Sequence, residues 1–69
     1  GLADIDLAEA YYYYWGFRDY DLALSFIQKA AVAMPNDARV HQGRAYILRR
    51  MGDWENSLAA FNRANELDP

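Results

Sequence analysis

Asp19-Tyr20-Asp21-Leu22-Ala23-Leu24-Ser25-Phe26-Ile27-Gln28-Lys29-Ala30-Ala31-Val32-Ala33-Met34-Pro35 returns in degenerate form between Asp53 and Pro69. Laying each residue on the one 34 positions later pairs Asp19 with Asp53, Leu24 with Leu58, Ala30 with Ala64 and Pro35 with Pro69. Tyr20 with Trp54, Asp21 with Glu55, Ala23 with Ser57 and Lys29 with Arg63 are conservative replacements. A fixed period of this size marks one supersecondary unit that buries its apolar face by stacking on neighbours. Function is therefore expected on a surface, not in a catalytic pocket.

Within that stretch Asp19 reads as an N-cap, with Asp21 in the first turn, where its charge suits the helix dipole. Leu22, Leu24, Ile27, Ala30 and Ala31 form one apolar stripe, which predicts a helix from about Tyr20 to Ala33. Pro35 bars its continuation. Upstream, Ile5 to about Phe17 reads as a helix capped by Asp4 or Asp6 and ended by Gly16. Its Tyr11-Tyr12-Tyr13-Tyr14-Trp15 run has strand propensity, but an isolated strand would have no partner. Downstream, Asn36 or Asp37 can cap a helix from Ala38 to about Met51, ended by Gly52, with Val40, Ala45, Ile47 and Leu48 apolar. A last helix, about Trp54 to Leu67, carries Leu58, Phe61, Ala64 and Leu67 at the same spacing. The pattern is all-α, two antiparallel helix-turn-helix hairpins.

The residues resemble the tetratricopeptide repeat, a 34-residue helix-turn-helix unit with Ala, Phe, Ala and Pro in its second helix. Ala23, Ile27, Ala30 and Pro35 fill that pattern once, and Ser57, Phe61, Ala64 and Pro69 fill it again. Met51-Gly52-Asp53-Trp54 is similar to the family's Gly-Asp-Tyr turn. The resemblance implies a right-handed α-solenoid fragment over residues 1–69 as one domain, with repeats at about 3–36 and 37–69. His41 and Arg44 depart from it, standing where the family prefers large apolar groups; Ala45 takes the small slot and Leu48 the tyrosine slot. Strict spacing would put Tyr11 in the small slot of the first unit, where a ring would clash. A register shifted by one puts Ala10 there and Tyr13 in the tyrosine slot, and requires one extra residue near Gly16.

Tetratricopeptide repeats are protein-binding scaffolds, so the resemblance implies a concave groove lined by the first helix of each unit. Here that groove draws on Tyr11, Tyr12 and Trp15, and on Arg39, Gln42, Tyr46, Arg49 and Arg50. Rings lose little entropy on binding, and arginine grips a carboxylate with two prongs. Ala8 or Leu7, and Gln42, occupy the places where one subset of the family holds a C-terminal carboxylate, which argues against that activity. The aromatic run has a second reading as a packing face for an adjacent repeat, the commoner fate of aromatic stripes. The arginines at 39, 44, 49 and 50 equally read as a solvated face.

Composition narrows the rest. Seven basic and ten acidic side chains give a net charge of -3, which disfavours non-specific nucleic-acid binding. There is no cysteine, so no disulfide or thiolate metal site is available, and a cytoplasmic location is the default expectation. No 18-residue apolar run suggests a membrane span. His41 is the single histidine, without metal-ligand spacing around it. No catalytic, cofactor or metal residue is expected, because no phosphate-binding glycine loop and no nucleophile beside a base is present. Two repeats without a capping helix predict an excised piece of a longer array, with Gly1 as a cloning remnant, and a homo-oligomer in isolation.

Overall fold

A computed structural model describes residues 2–69; Gly1, read above as a cloning remnant, lies outside the described residues. The elements are α1 (Leu2–Tyr12), a π-helical turn (Tyr13–Phe17), α2 (Tyr20–Ala33), α3 (Ala38–Arg50) and α4 (Trp54–Leu67). Among the described residues there is no strand. α1 packs on α2, α3 on α4, and the two hairpins meet chiefly through α2 and α3.

Three aspartates start three helices. Asp19 accepts from the Leu22 amide at 3.2 Å, Asp53 from the Asn56 amide at 3.2 Å, and Asp37 from the Arg39 amide at 2.9 Å. Each satisfies an amide that has no partner within the helix. The choice between Asn36 and Asp37 thus falls to Asp37. α1 begins earlier than expected, so Asp4 and Asp6 lie inside it rather than capping it.

The core comprises Leu7, Ala10, Tyr14, Ala23, Ile27, Ala30, Val40 and Ile47, with Ile27, Ile47 and Val40 the largest fully buried side chains. Ala45, Leu48, Ala60, Ala64 and Ser57 are buried between α3 and α4. The Ser57 hydroxyl donates to the Ala45 carbonyl at 2.8 Å, fixing the closest approach of that hairpin. In α4 the expected stripe is displaced: Leu58 is 62% exposed, while Ser57 and Ala60 face the partner helix. Small residues let the two backbones approach, and the larger side chain is left on the outer side.

The turn of the second hairpin is a Schellman motif. Gly52 has φ +82°, its amide donates to Arg49 O, and the Asp53 amide donates to Leu48 O at 2.9 Å. In the first hairpin Arg18 occupies the corresponding place with φ 52°, and the Asp19 amide reaches back one residue further, to Tyr13 O at 3.1 Å. The extra residue sits in the π-helical turn, as single-residue insertions in helices do. Gly16 is inside that turn and does not end the helix; Arg18 does.

Ala10 is fully buried and Tyr11 is not at the α1–α2 contact, as the shifted register requires. Tyr11 turns toward α3 instead. Its hydroxyl lies 2.9 Å from where a Cβ on Gly43 would sit, so only glycine leaves room for the ring there. The Tyr13 carbonyl plays the part of the Leu48 carbonyl, again as the shift requires. Its ring is only half-buried, parallel to Phe26 at 5.6 Å, and Tyr14 is the buried aromatic of the segment.

Candidate functional site

Six of the eight residues expected in the groove lie along the face shared by α1 and α3, four of them grouped around Tyr11. Tyr11 lies over Gly43. Burial, then the nearby Tyr46 phenol, pushes the Tyr11 pKa up, against the opposing charge of Arg39. Gln42 Nε2 donates to the Tyr46 hydroxyl at 3.4 Å. Arg39 forms a two-pronged pair with Asp37, 2.6 Å at the shortest, and reaches Asp4 at 3.5 Å. Its guanidinium is held above the ordinary arginine pKa, first by the Asp37 hydrogen bond. Arg39 therefore ties the start of α3 to α1 before any partner arrives.

Trp15 and Arg50 meet farther along this face, in a cleft of about 170 Å³ lined by Tyr14, Trp15, Arg18, Tyr20 and Arg50. The Tyr14 and Tyr20 rings are 5.7 Å apart, and Trp15 stands edge-on to Tyr14 at 4.9 Å. The Tyr14 hydroxyl, then Tyr20, raises the Arg50 pKa. Arg49 turns the other way, with its guanidinium over Tyr46 at 5.4 Å and Phe61 at 5.9 Å, toward α4.

Tyr12 is the residue the fold sets apart. It packs edge-on to Tyr13 and Phe17, beside Ile5, Ala8 and Glu9. Reading the sequence did not single out Tyr14, Arg18 and Tyr20, which line the cleft beside Trp15 and Arg50. The signal was present in the 34-residue alignment, which sets Arg18 on Gly52.

His41 Nε2 donates to the Pro35 carbonyl at 2.7 Å, bracing the turn between the hairpins, and its Nδ1 is buried without a partner. Among the described residues no group of three His, Cys, Asp or Glu is placed to hold a metal. No described helix is long and apolar enough to cross a membrane.

Two stacked helical hairpins, related by a 34-residue repeat and carrying exposed rings and guanidinium groups on one side, define an α-helical repeat fragment. Residues 38–69, which span α3 and α4, match the family model described as tetratricopeptide repeat. That family is one of protein-interaction scaffolds, and the all-α hairpin pair has its form. No curated protein and no solved structure matches the chain.

Proposed function

We propose that the chain is a non-catalytic interaction module that binds a peptide or protein segment along the α1/α3 face. The observation that carries this reading is the juxtaposition of Tyr11, Tyr46, Gln42 and Trp15 with Arg39 and Arg50 on that face. Amphipathic rings and guanidinium groups are the side chains that concentrate binding energy in protein contacts. Selection of binders from a random peptide library, followed by titration, tests it. The double variant Tyr46→Ala, Trp15→Ala should lose at least tenfold in affinity with little change in Tm. Peptides that bind wild type and variant equally would refute the groove.

The exposed apolar residues support a second reading, a spacer that associates with its own kind. Leu2 is 82%, Ile5 56%, Trp54 68% and Leu58 62% exposed. Sedimentation equilibrium with circular dichroism on the same samples separates the two: helicity that falls with dissociation of a dimer favours the spacer. A monomer that stays helical at high dilution favours the groove. The acidic balance supports protein rather than nucleic acid or membrane as partner, and the cysteine-free composition suits the cytoplasm.

A further inference from the structure

The cleft at the turn end of the α1/α3 face differs in kind from the rest of it. It is small, about 170 Å³, and two guanidinium groups, two phenols and an indole line it. Neither Arg18 nor Arg50 forms an ion pair among the described residues, whereas Arg39 and Arg63 both do. Two positive charges thus converge on one hollow without an acid to balance them. Tyrosine hydroxyls beside them can donate to the same guest, and the Trp15 ring, 69% exposed, forms the rim.

A second observation is independent of the lining. Arg18 adopts φ 52°, a left-handed conformation that side-chain-bearing residues resist, at the position where the other hairpin has Gly52 with φ +82°. The backbone asks for glycine, and the sequence supplies an arginine whose side chain enters the cleft. Strain of this sort persists where the side chain has a use. Tyr14 and Trp15 reach the same hollow from the π-helical turn that Arg18 caps.

We propose that this cleft binds a compact oxyanion, a carboxylate or a phosphate, carried by an acidic peptide that lies along the α1/α3 face. Arg18 and Arg50 grip the oxygens from two sides, Tyr14 and Tyr20 donate from the floor, and Trp15 covers the adjoining apolar stem. The volume, about 170 Å³, is ample for one such group. The proposal rests on the groove reading and names the chemistry of one end of it.

The test follows the Trp15 indole N–H and the arginine Nε–H resonances of the whole chain by NMR. Four probes are titrated at constant ionic strength: inorganic phosphate, acetate, an end-blocked tetraglutamate peptide and its tetraglutamine counterpart. Trp54 serves as the internal control. Saturable shifts at Trp15, Arg18 and Arg50 with the anionic probes, and none with tetraglutamine, are expected. A response to acetate and tetraglutamate identifies carboxylate as the guest, and a response confined to inorganic phosphate identifies phosphate. Arg18→Gly and Arg50→Gln should each weaken binding about tenfold, the size of one charge-assisted contact. Arg18→Gly should at the same time raise Tm, because glycine suits that backbone. A purely structural arginine would not produce this opposite movement of binding and stability.

Shifts that rise without saturation, or that persist unchanged in both variants, overturn the proposal. Its failure is distinguishable from that of the groove. Library peptides whose binding depends on Tyr46, with no ion response at Trp15, overturn the cleft alone. Saturable ion binding, with peptide affinity indifferent to Tyr46, overturns the groove alone.

Discussion

The two hairpins share an aspartate cap on the second helix, a 34-residue offset and an antiparallel form, yet they close by different means. The second ends α3 in a regular α-turn and a glycine, and its side chains at the contact are small: Ala45, Ser57, Ala60 and Ala64. The first widens into a π-helical turn, ends on a strained arginine, and fills its contact with rings, Tyr13 on Phe26 and Tyr14 on Tyr20. The second is the half that matches the family model. A repeat can therefore absorb an insertion where helix meets turn, keeping both its small contact residue and its cap. The inserted residue is spent on surface.

Deleting one residue from each first helix puts that comparison under the greatest strain. Removing Gly16 should convert the π-turn to an α-turn and change stability by no more than about 1 kcal/mol, because the family spacing is restored. Removing Arg50, the last residue of α3, should be strongly destabilising, since each residue rotates an α-helix by about 100° and the Gly52 turn would swing α4 off Ala45 and Leu48. Thermal melts by circular dichroism decide. Equal damage from both deletions would mean the extra residue is not in the π-turn.

Ile27 and Phe61 fill equivalent slots, but only Ile27 has another hairpin beyond it, and it is fully buried. Ile27→Ala should cost about 2–5 kcal/mol in chemical denaturation, the usual range for a buried aliphatic truncation. Phe61→Ala should cost clearly less. The two turns give the next test: Gly52→Ala should destabilise by about 1 kcal/mol and Arg18→Gly stabilise by a similar amount, shifts of about 4–8 °C in Tm for a domain of this size.

The smallest effect concerns the helix caps. The hydrogen bond from Arg39 holds the Asp37 carboxyl below its ordinary pKa of 3.8. The folded state thus binds fewer protons than the unfolded one at that pH. The cap's contribution is complete above about 3.8 and is lost as pH falls through the lower, folded value. Asp37→Ala should cost about 1 kcal/mol at neutral pH and almost nothing in strong acid. Denaturation curves at both ends of the range reveal it.

The fold was legible because its punctuation is local. Pro35, Gly52 and the aspartates at 19 and 53 announce the hairpin boundaries through backbone chemistry that needs no neighbours. Burial was less so. Leu58, expected in the apolar stripe, is exposed, because size, not polarity, decides who sits where two helices nearly touch, and the small Ser57 takes the contact. Of the residues expected in a groove, Tyr11, Arg39, Gln42 and Tyr46 come together on one face. Tyr12, expected with them, packs instead on Tyr13 and Phe17, because a run of four tyrosines points in four directions, and the π-turn alters those directions in a way periodicity does not register.

Gly43 has a meaning beyond the room it makes. The site of its missing Cβ lies 2.9 Å from the Tyr11 hydroxyl and 3.1 Å from Ile27 Cδ1, so that one position joins the floor of the exposed face to the centre of the core. It works as a depth gauge. A methyl there would lift Tyr11 outward and make the face shallower, while the gain in helix propensity would offset part of the cost. The contour of the exposed face can thus be reset by a single small substitution, without replacing any of the side chains that form it.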